Sequence, residues 1–389
     1  MSDVATTRRA GRVTRALGWA AIPAVVLLPP YWIAEYWLGQ GSLVFAAAIG
    51  AVGLTLLFGR VGQLSLGHPF FLALGAYTYT GLASEPTAGL WGQGLPSPLA
   101  AMLAALLAGL VGLLLSPIAA RLKGLSLGLA TLSLVFIGQW LLSACVGLTG
   151  GFNGRPTPPL QIGSLSSLGS DLAVLGVPIG GAEFMWAVTS AVFFAVAIFT
   201  ANLLRGRTGR AFTAIKEAEL HADILGIEVA RYRAVAFAIS SAFAGLGGAL
   251  LAVLLGYIVP EYWGLSLAVG YLAMTVIGGL GSITGAFLGA AFVTLLPAIL
   301  QRYGDSLPGL AAHGGGGITP ATAAELLYAV ALIGVLLVEP RGLVAIGRRL
   351  LGRWSSARRA RARDVAGAAG AEESSVLSST PTSPSEARR

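Results

Sequence analysis

The amino-acid sequence predicts an all-α polytopic membrane protein with about ten transmembrane helices, some of them discontinuous. Three observations carry that prediction. Of the 389 residues 55% are hydrophobic and 11% charged, with a mean hydropathy of +0.78, far from the composition of a water-soluble domain. Uncharged runs recur at the length that a helix, rising about 1.5 Å per residue, needs to cross a hydrocarbon layer of roughly 30 Å. The basic side chains between these runs are distributed one-sidedly.

The first span is expected at 17–36, behind a basic head at 1–16. The head and apolar body resemble a signal peptide, but the apolar part is long and no clean small-residue cleavage site follows, so it reads as uncleaved. Further spans are expected at 42–58, 66–83, 98–119, 125–146, 184–204, 234–257, 265–278, 285–300 and 322–338. The stretches 147–183 and 301–321 are rich in Gly, Pro and Ser and read as loops. Residues 351–389 have almost no large apolar side chains, cannot bury a core, and read as a disordered cytoplasmic tail behind a membrane domain at 17–350.

With the N-terminus in the cytoplasm, 23 of the 25 Lys and Arg fall on that side, leaving Arg155 and Arg302 outside. The positive-inside rule thus separates the two topologies and places both termini in the cytoplasm. The same asymmetry accounts for the pI near 10, so the basic balance reports membrane orientation and no nucleic-acid partner.

Several chemistries are excluded. The single cysteine, Cys145, cannot form an intrachain disulfide. His68, His221 and His313 stand far apart without ligand-spaced companions, so no metal site is expected. Neither Lys123 nor Lys216 follows Gly, which removes the phosphate-binding loop. No hydrolase triad is present, and ionisable groups are nearly absent from the spans, which argues against proton or ion coupling within the chain. The chain is not expected to be an enzyme or to carry a cofactor; energy must come from elsewhere.

Two features concern packing and the interior. Ser240, Ala244, Gly248, Ala252 and Gly256 recur every fourth residue and offer one small-residue face to a neighbouring helix. GQLSLGH (62–68) and GGLGSITG (278–285) place Gly and hydroxyl residues where spans should begin or continue. Backbone freed there must be satisfied by protein or water. Such breaks are either turns with good caps or, as in transporters, the lining of a substrate path. On the second reading Gln63, Ser65, His68, Gly279, Gly281 and Ser282 belong to the path or its gate, although His68 alone also fits a hydrogen-bonded buried histidine.

The segment 205–233, RGRTGRAFTAIKEAELHADILGIEVARYR, carries six basic and four acidic side chains. Thr208 is placed to cap a helix that Gly226 ends in the left-handed conformation. Phe212, Ile215, Ala218, Ala222 and Leu225 form one apolar stripe, leaving the charges, Lys216 among them, for faces expected to matter less. The helix either lies on lipid or docks a protein; its mixed charge suits an anionic surface less well.

The blocks GQLSLGHPFFLALGAYTYTGL, RLKGLSLGLATLSLVFI, TGGFNGRP, the charged segment with the span after it, and VIGGLGSITGAFLGA occur in one order. In this the chain, from about residue 40 to 350, resembles the LivM-type permease of branched-chain amino acid ABC transporters. The resemblance implies a multi-pass subunit of the cell's inner (plasma) membrane that moves branched-chain or related hydrophobic amino acids into the cytoplasm. Its implied partners are a second, homologous permease, two cytoplasmic ATPases that use the ATP, and an extracytoplasmic binding protein. It also implies that 208–226 is a coupling helix seated on an ATPase, with Phe212, Ile215, Glu217, Glu219, Ala222 and Gly226 as docking residues. The Glu-Ala-Ala triplet usual in importers is replaced here by Glu217-Ala218-Glu219, so two carboxylates compete for its role. A urea or short-chain amide permease of the same superfamily, a self-sufficient ion-driven carrier and a membrane scaffold are the rival readings.

The charge partition is directly testable. With Cys145 removed, a cysteine at Thr208 or Ser355 should react with a membrane-impermeant thiol reagent only in opened cells, and one at Ser166 in intact cells. Labelling of Thr208→Cys from outside would reverse the topology.

Overall fold

The computed structural model describes Pro29 and residues 32–303, save 87–88, 123, 164, 170–172, 175–176 and 179, together with scattered positions from 322 to 344. The head at 1–16, most of the expected first span and the tail at 351–389 lie outside the described residues.

Within them the chain is helical. Helix α1 (Glu35–Leu54) continues as a π-helical turn (Thr55–Val61); α2 (His68–Ala83), α3 (Ser97–Arg121) and α4 (Leu125–Ala144) follow. After the short α5 (Val146–Thr149) comes α6 (Gly181–Arg205), then α7 (Arg207–Glu217) and α8 (Glu219–Ile224), both amphipathic or polar. The chain closes with α9 (Val229–Leu255), α10 (Leu265–Gly278) and α11 (Ile283–Tyr303). Six of these helices are long and apolar enough to cross a membrane; α2 and α10, of 16 and 14 residues, are shorter. The described positions between 322 and 337 are also helical.

One expected boundary is wrong. The break foreseen between spans at 37–41 is absent, because Glu35–Val61 forms a single helix of 27 residues. The glycines there do not interrupt the helix. Gly41 instead makes room for the Trp186 ring of α6, which stacks edge-on against Phe45 at 5.1 Å.

Helix α9 is the axis of the bundle. It runs antiparallel to α1, with Gly53 against Ser240 and Ala46 against Gly247, and is flanked by α2 and α3. The small-residue face expected on it is present in Ser240, Ala244, Gly248 and Ala252, all buried. Gly256 does not pack; at φ 69° it ends the helix. Gly245 joins the face from the next row, so close to α2 that a Cβ on Gly75 would collide with its backbone. Contacts of this kind hold helices together where lipid offers no hydrophobic gradient between them. Several buried hydroxyls inside the helices satisfy themselves on the preceding turn, as Ser42 does on Leu38, Thr189 on Met185 and Thr275 on Tyr271.

The antiparallel order puts the start of α1 and the end of α9 at one end of the bundle. There β1 (Arg155–Pro156) pairs with β6 (Tyr257–Ile258), and two further two-stranded hairpins, β2 (Gln161–Ile162) with β3 (Leu165–Ser166) and β4 (Ala173–Val174) with β5 (Val177–Pro178), structure the long loop. Arg155 is 1% exposed and donates to the carbonyls of Leu148 and Trp91 at 2.6 and 3.1 Å, tying that loop down. Arg302 lies over the Tyr36 ring at the same end. Among the described residues, Arg60, Arg121 and the charged segment 205–233 occupy the opposite end.

Gly39 and Gly41 separate packing from helix propensity. Gly41→Leu should displace Trp186 and destabilise the detergent-solubilised protein by about 1–3 kcal/mol. Gly39→Leu, with nothing within 4 Å, should leave the Tm unchanged or raise it. Equal Tm values for the two variants would contradict the packing described.

Candidate functional site

The two broken stretches begin where helices stop inside the bundle. At the first, the π-helical turn ends at Gly62, φ 81°, and the chain runs without helix to His68. Several of its polar groups find partners within the protein. Leu66 N–H donates to Thr131 Oγ1 at 2.9 Å, Gly67 N–H to Ser65 Oγ at 3.4 Å, and Gln63 Nε2 to the Ala119 carbonyl at 3.4 Å. Gln63 Oε1 is buried without a partner. His68, 3% exposed, donates from Nε2 to the Gly50 carbonyl at 2.8 Å and stacks on Tyr271 at 5.1 Å. It is a buried, hydrogen-bonded histidine.

At the second break, α10 stops at Gly278. Gly279 and Gly281 then take φ values of 116° and 79°, open to glycine and costly for other residues. Ser282 caps α11, its Oγ accepting from Gly285 N–H at 3.2 Å. Gly281 meets the π-helical turn backbone to backbone: a Cβ on Gly59 would strike Gly281. Arg60 Nε donates to the Gly281 carbonyl at 2.9 Å.

The six expected path residues are therefore not gathered around one opening. Gln63, Ser65 and His68 are buried and engaged with backbone, Gly281 forms the crossing with the π-helical turn, Gly279 ends α10 at positive φ, and Ser282 is a helix cap. None of them lines the apolar groove of about 580 Å3 between α2, α3 and α4, which includes Leu74, Tyr77, Leu106 and Leu141.

The charged segment differs from the single helix expected. Helix α7 starts at Arg207 behind Gly206, with no side-chain cap from Thr208, and stops at Glu217. Ala218, at φ −155° and ψ 85°, starts α8 on a new axis. The stop at Gly226 is as expected: φ is 79°, Gly226 N–H donates to Asp223 and Ile227 N–H to Ala222, at 2.9 and 3.0 Å.

The bend splits the apolar stripe. Phe212, Ile215 and Ala222 are buried against the chain's own helices, with Phe212 edge-on to Tyr232 at 6.3 Å. The surface they were expected to offer a partner is thus covered. Leu225, expected to lie with them, is 78% exposed, and Leu220 and Ile224, outside the stripe, are 71% and 76% exposed. Glu217 is exposed, whereas Glu219 receives a bidentate pair from Arg233 at 2.8 and 3.0 Å. Beside them a polar recess of about 800 Å3 is lined by Glu219, Asp223, Glu228, Arg231 and Arg233. Lys216 is not an idle surface charge: its Nζ donates to the Gly59 carbonyl at 2.7 Å. Sequence spacing contains no signal for the Lys216, Arg60 and Arg233 bonds, whose partners lie 157, 221 and 14 residues away.

Broken apolar helices crossing inside a bundle, with a braced charged segment at one end, define an integral membrane protein of the polytopic helical class. The chain belongs to the family described as branched-chain amino acid transport system, permease component, which it matches over residues 35–338. This is a family of transport permeases and not of enzymes. The chain is 29% identical over 306 residues to the high-affinity branched-chain amino acid transport system permease protein LivM of Salmonella typhimurium, covering 75% of this chain and 70% of the relative. It is 27% identical to LivH of the same organism over 66% of this chain and 82% of that one. The autoinducer 2 import system permease protein LsrC of Enterobacter sp. is 30% identical over 48% and 49% of the two chains. No solved structure matches the chain significantly.

The crossing at Gly281 should be intolerant of bulk. Gly281→Leu brings a Cβ within 3.2 Å of the Gly59 carbonyl oxygen and forces a side chain into positive φ, at about 1–2 kcal/mol for the backbone alone. The Tm of the detergent-solubilised protein should fall; an unchanged Tm would contradict the close crossing described.

Proposed function

We propose that this chain is one of the two permease subunits of an inner-membrane ABC importer for branched-chain or related hydrophobic amino acids. Both termini are cytoplasmic, a homologous permease completes the path, and an extracytoplasmic binding protein delivers the solute. ATP is hydrolysed on two separate ATPase chains, and this chain carries neither cofactor nor catalytic residue.

The observation that carries the reading is the form of the segment 206–228. A segment destined to lie on an anionic lipid surface would flank its exposed apolar residues with basic side chains alone. Here Phe212, Ile215 and Ala222 root it in the bundle, while Leu220, Ile224 and Leu225 stand exposed beside a recess of mixed charge. That suits a protein partner with its own apolar pocket and charged rim. Glu219 braces the segment through Arg233, and Gly226 returns the chain toward α9. ATP and the loaded binding protein each favour one state of the permease pair, and movement of the segment converts one to the other.

Leu220→Asp and Ile224→Asp put a charge into a contact that excludes water. Each should weaken ATPase binding about tenfold or more, an effect of about 1.4 kcal/mol, and abolish ATP-dependent leucine uptake in proteoliposomes. Phe212→Asp should instead impair folding of the subunit itself. Wild-type uptake of leucine driven by an ion gradient without ATP would favour a secondary carrier. ATP-driven uptake of urea or short amides in preference to leucine would reassign the substrate.

A further inference from the structure

The docking segment and the crossing of the broken spans are joined by two hydrogen bonds in series. The π-helical turn that continues α1 stops at Val61, so the Gly59 carbonyl lies in a last turn where no later helical N–H follows to donate to it. Its donor is the Lys216 ammonium, which reaches it at 2.7 Å from the end of α7. One residue on, Arg60 passes the connection forward by donating to Gly281 at 2.9 Å, across the point where the backbones of Gly59 and Gly281 touch. A cation at a helix C-terminus is favoured by the dipole, and a charge-assisted bond is among the stronger single contacts available. The lysine stem remains exposed, so its burial does not explain its position.

We propose that Lys216 is the positioning residue that ties movement of the docking segment to the crossing of the two broken spans, and so couples ATPase closure to the path. The inference rests on the transporter reading above. Wild-type ATP-dependent uptake of radiolabelled leucine by the reconstituted complex, measured first, decides that reading separately.

The test compares Lys216→Met, which keeps the stem and removes the donor, with Lys216→Arg, which keeps a donor. In Lys216→Met the complex should assemble and hydrolyse ATP, but leucine taken up per ATP should fall about tenfold, the size expected for a lost charge-assisted hydrogen bond. Lys216→Arg should restore most of the ratio. Spin labels at the exposed residues Asp223 and Thr284 should hold their separation through the ATP cycle in the wild type and change it in Lys216→Met. An unchanged transport ratio in Lys216→Met would overturn the proposal. So would loss of the ATPase on purification, which would make the bond a purely structural clamp, or failure of Lys216→Arg to differ from Lys216→Met.

Discussion

Within a bilayer a peptide group that leaves a helix has no water to turn to, and this constraint shapes the bundle around residues 59–68 and 278–285. Several polar groups at the places where α1 and α10 stop are taken up by distant parts of the chain. Thr131 on α4 receives Leu66, the Ala119 carbonyl on α3 receives Gln63, and Lys216 and Arg60 supply the carbonyls of Gly59 and Gly281. Because these partners come from four different helices, the breaks are where distant segments are fastened together. Moving one of the fastened segments requires the others to move or a buried hydrogen bond to be lost.

Close backbone approach supplies the second condition. The helices α1, α2, α3 and α9 meet through Gly, Ala and Ser, which leaves little freedom to slide. The charged end is built differently, from long side chains reaching back to the bundle: Lys216 to Gly59, and Arg233 to Glu219. A closely packed centre with a braced charged segment at one end favours rigid-body movement over local melting. The inward position of Phe212 and Ile215 fixes that segment to the bundle.

Much of this was legible in the residues themselves. Hydropathy marked the spans, charge marked their two ends, Gly226 marked the stop of the charged segment, and the Gly-Ser stretches marked both breaks. Such features rest on lipid, on helix periodicity and on glycine's freedom at positive φ, which act over a few neighbouring residues and leave a local pattern. The direction in which a side chain finds its partner leaves none. Only the tertiary structure decided that the helix continues through Gly39 and Gly41, and that Gly41 makes room for Trp186 on α6. It alone turned Phe212 inward and Leu220 outward, through a bend at Ala218 that the apolar stripe does not announce. Lys216 could not be told from a solvated charge by sequence, since the carbonyl it satisfies belongs to a helix end 157 residues away, and only folding brings that unmet acceptor within reach.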